Sequence, residues 1–191
     1  MKKIFFLFTL FITLTACQTH NTNSNSIVNN KSILQEIDNL EKTSLNRNLT
    51  YHDYDTLREL TKEDPVAQDE FKEIDWLTLH GEEEHASHSL GFLQSYAETG
   101  EKTPCFGHEL SHIRLYIIHN DIPMAEDAIQ ELDVQSWITN AEQSRARFPQ
   151  YYKNFDAIKT KALDTVERLK KTDYSPQTLA QIDYLEENAP C

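Results

Sequence analysis

Apolar residues recur three and four positions apart along most of this chain, which limits the folds it can adopt. The chain has only 4 Gly in 191 residues, and no segment alternates apolar and polar residues as a half-buried strand does. The pattern predicts an all-α protein, and the short connections imply antiparallel neighbours in a helical bundle or in stacked helical hairpins. Gly81 marks a candidate break in the longest segment. The predicted helices cover residues 32–45, 54–60, 65–98, 105–119, 123–132, 136–147, 151–171 and 176–187.

The N-terminal residues are typical of a targeting segment. Two lysines precede an apolar run, Ile4 to Leu14, that is too short to span a bilayer, and Leu14-Thr15-Ala16-Cys17 follows it. This arrangement resembles a bacterial lipoprotein signal with its lipobox. The resemblance implies cleavage before Cys17 and acylation of that cysteine, which would anchor the chain in a lipid bilayer. Gln18 is similar to the pattern sent to the outer membrane, so we expect an outer-membrane location facing the periplasm.

Composition divides the chain into three parts. Residues 1–16 are the predicted signal peptide. Residues 17–31 are rich in Asn, Ser and Thr and carry too few apolar side chains to order themselves, so they are predicted to be a flexible, lipid-anchored tether. Residues 32–191 are long enough to bury a hydrophobic core and are predicted to form a single helical domain.

The charge balance disfavours one class of partner. The chain has 18 Lys and Arg against 31 Asp and Glu, for a formal net charge of −13 at pH 7. A nucleic-acid partner is disfavoured because phosphate contacts need a basic face. The expected partners are the lipid bilayer, through acylated Cys17, and an unidentified envelope protein.

Two cysteines remain besides Cys17, at positions 105 and 191. Leftover cysteines in an oxidising periplasm usually pair. We therefore predict a disulfide between Cys105 and Cys191. It would link the C-terminus to the start of the segment CFGHELSH.

Histidines are concentrated in one region, with six of the 8 between positions 80 and 119. At about 100° per residue, His108, His112 and His119 lie on one edge of the predicted helix 105–119. We expect that edge to meet another helix rather than water. Two arrangements are open with the preceding helix: one site that combines ligands from both helices, or a separate pair four residues apart. The combined site is Glu84, His85, His88 and His119, and the separate pair is His108 and His112.

The segment His108-Glu-Leu-Ser-His112 resembles the H-E-x-x-H motif of zinc peptidases. The resemblance implies that both histidines bind zinc and that Glu109 activates water. The chain departs from the metzincin form of the motif at Leu115 and Ile118. A ferritin-like di-iron site is disfavoured as well, because the second Glu-x-x-His spacing that it requires is missing.

The function predicted from these features is non-enzymatic, namely an outer-membrane-anchored helical lipoprotein with a binding or scaffolding role in the cell envelope. The alternative is a protein that binds zinc or another transition metal through a histidine-lined helical hairpin. A third hypothesis is an H-E-x-x-H metallopeptidase with Glu109 as its catalytic residue.

Overall fold

The computed structural model describes residues 24–100 and 105–190. These residues form nine α-helices and two short 3-10 helices, Tyr51–Tyr54 and Pro149–Tyr151, with no strand among them, so the all-α prediction is confirmed. The signal peptide, the first part of the tether and residues 101–104, just before the predicted helix 105–119, lie outside the described residues. The α-helices are α1 (Ser24–Ser44), α2 (Asp55–Thr61), α3 (Pro65–Leu79), α4 (Glu83–Thr99), α5 (Phe106–Ile118), α6 (Ile122–Glu131), α7 (Val134–Arg147), α8 (Phe155–Lys170) and α9 (Pro176–Asn188).

Polar caps start several helices close to the predicted positions. The Asp64 side chain accepts hydrogen bonds from the backbone amides of Val66 and Ala67, and Pro65 fills the first helical position of α3. These caps satisfy amides that have no partner within the helix. The same role at the starts of α6, α7 and α9 belongs to Asp121, Asp133 and Ser175.

One predicted break is present, and one helix boundary differs from the prediction. The longest predicted segment is divided into two helices at the candidate break, because the chain turns at Gly81, whose φ of 76° suits glycine. The turn lets α3 and α4 pack against each other. At the other boundary, α1 begins at Ser24 rather than at Ser32 and extends into the predicted tether. Buried Ile33 and Ile37 anchor α1, and adding residues to a formed helix costs little.

The apolar side chains form two main groups. Helices α1 to α4 surround one group, which includes Ile33, Ile37, Leu57, Ile74 and Leu93. Helices α5 to α9 surround the other, which includes Phe106, Leu110, Phe155, Leu169 and Ile182. A smaller cluster joins them, with Trp76, Leu77 and Ala86 from the first set of helices and Leu115, Tyr116 and Ala125 from the second. Helix α5 therefore lies at the junction between the two groups.

Candidate metal centre

Helix α5 carries two histidines one turn apart. His108 and His112 lie on the same edge because they are four residues apart, and their ring centroids are 4.0 Å from each other. Leu110 and Ile113, on other sides of the helix, are buried in the C-terminal core. The α5 helix packs against α6 and α9. The histidine edge is thereby left to face α3 and α4.

His85 on α4 lies next to this edge. Its ring centroid is 5.8 Å from that of His112 and 6.3 Å from that of His108. One ring nitrogen from each of the three histidines lies within 4.8 Å of the other two. With Zn–N bonds of about 2.0–2.1 Å, two imidazoles on one tetrahedral zinc have centroids about 5.2 Å apart and nitrogens about 3.3 Å apart. Small side-chain rotations would therefore bring all three rings onto one metal ion.

His112 is the most buried of the three, with 2% of its surface exposed. Its Nδ1 is paired with the carboxylate of Glu73 on α3, and that carboxylate also accepts a 3.2 Å hydrogen bond from the Tyr116 hydroxyl. The Nε2 atom of His112 is buried and has no hydrogen-bond partner among the described residues. A carboxylate on one imidazole nitrogen orients the other nitrogen toward a metal in many metalloproteins.

His108 is held in its neutral form. Burial, together with the charges of His112, His88 and His85, lowers the pKa of His108 to about 2. Its ring packs 4.9 Å from that of Phe92, and its Nε2 is a second buried nitrogen that lacks a partner in the described part of the chain. A neutral imidazole has a free lone pair on one nitrogen, so His108 can serve as a metal ligand at neutral pH.

His85 is neutral for a similar reason. Burial is the main cause that lowers the pKa of its imidazole, and the charge of His112 lowers it further. Its Nδ1 lies 3.5 Å from the hydroxyl oxygen of Ser111, and that hydroxyl donates to the backbone carbonyl of His108 at 3.1 Å. A proton on Nδ1 of His85 would therefore point at Ser111 and leave Nε2 for a metal.

The donor set determines which metals fit. Three imidazoles suit zinc, copper, nickel and iron, whereas magnesium and calcium prefer oxygen ligands. Three protein ligands also leave at least one coordination position for water or another donor. The site therefore fits a transition metal of the kind expected from the sequence.

Two of the other predicted ligands lie at or beyond the edge of this group. His88 is exposed, and its ring centroid is 5.6 Å from that of His108 and 6.3 Å from that of His85. Glu84 is also exposed, and neither residue is among the three whose donor atoms converge. Both side chains are exposed because the apolar face of α4 points away from them.

His119 lies in a different cluster. Its Nε2 is 2.6 Å from the carboxylate of Glu82, and its ring packs edge-on against Trp76 and His80, with centroids 5.5 Å and 5.1 Å away. The structure therefore combines parts of the two arrangements predicted from the sequence. His85 joins the pair of His108 and His112, while His119 is held elsewhere by Glu82.

Glu109, the base expected of a peptidase, is half-buried in the first turn of α5. It is not part of the group formed by the three histidines. The third histidine comes from α4, upstream of the motif, rather than from a downstream position as in a metzincin. Nothing in the described residues supports the similarity to zinc peptidases.

Glu73 is the site residue that the sequence did not reveal. It lies on α3, outside the histidine-rich region, in a chain where carboxylates are common. Only the packing of α3 beside α4 and next to the His112 edge brings its carboxylate to the imidazole. No local spacing could have identified it.

Residues 1–18 match a family described as the prokaryotic membrane lipoprotein lipid attachment site. This match confirms the lipoprotein signal and implies that an acylated cysteine anchors the protein in a membrane. No curated protein and no solved structure matches the chain. Within residues 24–100 and 105–190, none of the helices has the length and apolar character needed to cross a bilayer. The chain is thus a membrane lipoprotein with a helical domain.

Proposed function

We propose that this protein is a lipid-anchored transition-metal-binding protein, with zinc or a similar ion held by His85, His108 and His112. The observation that carries this proposal is the convergence of three imidazole nitrogens within 4.8 Å. Two buried nitrogens there, on His108 and His112, have no hydrogen-bond partner in the described chain. A buried polar group without a partner costs about 1–3 kcal/mol, and metal coordination would remove that cost at both nitrogens.

The surroundings of the site support metal binding over a purely scaffolding role. The carboxylate of Glu73 would stabilise the positive charge that a metal brings to His112. The net charge of −13 also attracts cations to the surface. Between the two non-enzymatic functions predicted from the sequence, this geometry favours the metal-binding one.

The location forms part of the proposal. Gln18 directly after Cys17 favours the outer membrane, with the helical residues facing the periplasm. There the protein would take up metal ions that have entered the envelope and store them or sense their concentration. A lipid anchor would keep this metal-binding activity at the membrane surface.

Metal analysis of the full chain, purified from membranes in detergent and incubated with Zn²⁺, tests the proposal. We expect about one zinc per chain in the natural protein and almost none in the double variant His108→Ala, His112→Ala. The matched control is His52→Ala, because His52 is exposed and faces Asp55 rather than the site. The proposal fails if the natural protein retains no zinc, or if the double variant retains as much as the control.

A further inference from the structure

The three-histidine site leaves room for one more protein ligand. Tetrahedral zinc takes four donors, and His85, His108 and His112 supply three. The nearby carboxylate of Glu73 is already shared between Nδ1 of His112 and the Tyr116 hydroxyl. Phe92 closes one side of His108 with an apolar ring. The fourth donor must therefore come from another side of the site.

We infer that His88 is this fourth ligand and that it closes the site from the solvent side; the inference rests on the proposed metal-binding function. His88 is three residues after His85 on α4, so both rings project from neighbouring positions of one helix. Its centroid is 5.6 Å from that of His108 and 6.3 Å from that of His85. These separations fall within the range of 4.0 to 6.3 Å seen within the triad and lie near the 5.2 Å or so expected for imidazoles that share a tetrahedral zinc.

Exposure separates His88 from the other three ligands. His112 is buried, and His85 and His108 are partly buried, whereas His88 is exposed. An exposed histidine can turn between water and the metal without repacking the core. His88 would therefore be the first ligand to meet an incoming ion and the first to release it, which makes the site exchangeable rather than permanently closed.

Two carboxylates act electrostatically on His85, those of Glu82 and Glu186. Glu82 is already paired with His119, which leaves Glu186 as the competing donor. The carboxylate of Glu186 on α9 acts electrostatically on His85 and favours its protonated form. Glu186 is exposed, like His88. A fourth ligand from α9 would tie the metal to a third helix and would bring an oxygen donor into the site. With His88 as the fourth ligand, the metal would have four nitrogen ligands. With Glu186 it would have three nitrogen ligands and one oxygen ligand.

Zinc-edge X-ray absorption of the zinc-loaded full chain counts the imidazoles, and competition with a chromophoric chelator measures the affinity. We expect four imidazoles in the natural protein. In His88→Ala we expect three imidazoles and one oxygen, with zinc affinity lowered at least about tenfold. Glu186→Gln and the exposed-histidine control His52→Ala are expected to keep four imidazoles and the natural affinity.

Two results would overturn the inference while leaving the proposed function intact. One is an unchanged first shell and affinity in His88→Ala. The other is a loss of affinity in Glu186→Gln rather than in His88→Ala. Failure of the natural protein to bind zinc would instead reject the proposed function, and the inference with it. Circular dichroism checks that each variant is folded, which we expect because these side chains are exposed.

Discussion

Glu73 is paired with Nδ1 of His112, so we expect it to act on a bound metal through that ring. We expect Glu73→Gln to lower zinc affinity about 10- to 100-fold, because the amide keeps the size of the side chain but loses the charge that favours a metal-bound imidazole. Chelator competition measures the change. Glu84→Gln is the matched control, since Glu84 is exposed on α4. Equal affinities in the two variants would show that Glu73 does not support the site.

His108 makes the stability of the metal-free protein depend on pH. The pKa of His108 is lowered to about 2 in the folded state, mainly by burial, whereas a histidine in an unfolded chain has a pKa of about 6.5. Between these values the unfolded state binds more protons, so the free energy of unfolding falls as pH falls below about 6.5. This contribution to stability is fully present above pH 6.5 or so and is progressively lost toward pH 2.

Urea unfolding in the presence of a strong chelator measures this effect at several pH values. Between pH 7 and pH 5 we expect the natural protein to lose stability faster than His108→Leu, which lacks the titrating group but fills a similar volume. The slope due to one such group is at most about 1.4 kcal/mol per pH unit. Parallel pH profiles for the two proteins would contradict the prediction.

At the scale of the helices, the contact between α5 and α9 depends on a glycine. A Cβ added at Gly107 would lie 3.0 Å from the carbonyl oxygen of Leu185 and 3.1 Å from the Cα of Glu186. Both are backbone atoms, so relief requires the two helices to move apart. We expect Gly107→Ala to destabilise the protein by about 1–3 kcal/mol in urea unfolding, in spite of the higher helix propensity of alanine.

Gly91 on α4 provides the matched control. It is also inside a helix, but a Cβ there meets nothing within 4 Å. Gly91→Ala is expected to stabilise the protein by about 0.5–1 kcal/mol through helix propensity alone. Stabilisation by both substitutions would mean that α5 and α9 do not pack as closely as the structure places them.

Helix positions were largely predictable because caps and apolar spacing are local signals. The pattern predicted the helix after Ser175 as 176–187, and α9 covers Pro176–Asn188. The registration of α4 against α5 was not predictable in the same way. The backbones of these two helices make little direct contact, and imidazole rings fill the space between them. An ideal antiparallel hairpin would have paired His119 with His85 and His88, but Glu82 binds His119 instead.

At the scale of the whole molecule, the proposed metal site lies at the junction of the two apolar groups. His85 belongs to a helix of the N-terminal group, and His108 and His112 belong to the C-terminal one. The Trp76 indole also crosses this junction and donates a 2.8 Å hydrogen bond to Asp121. A metal bound there would add a cross-link between the two sets of helices.

The disulfide predicted between Cys105 and Cys191 would be a second cross-link in the C-terminal group. Cys191 lies outside the described residues, so the pairing remains a prediction. The Trp137 indole donates a 2.8 Å hydrogen bond to the carbonyl of Pro190, the residue before Cys191. Peptide mapping without reduction is expected to recover the linked pair, and its reduction is expected to cost about 2–5 kcal/mol in unfolding experiments.

The control for this prediction is the double variant Cys105→Ser, Cys191→Ser. Its stability should be the same with and without reductant, while that of the natural protein should fall when reductant is added. Alkylation of both cysteines in the folded, unreduced protein would rule out the disulfide.

The sequence by itself determined the lipoprotein signal, the all-α class and the limits of most helices, because each depends on residues that are neighbours along the chain. It also marked His108 and His112, which are four residues apart on one helix. Only the tertiary structure decided that His85 and Glu73 join them and that His119 does not. Those choices depend on how separate helices pack against one another, and packing is set by the shapes of all the buried side chains together.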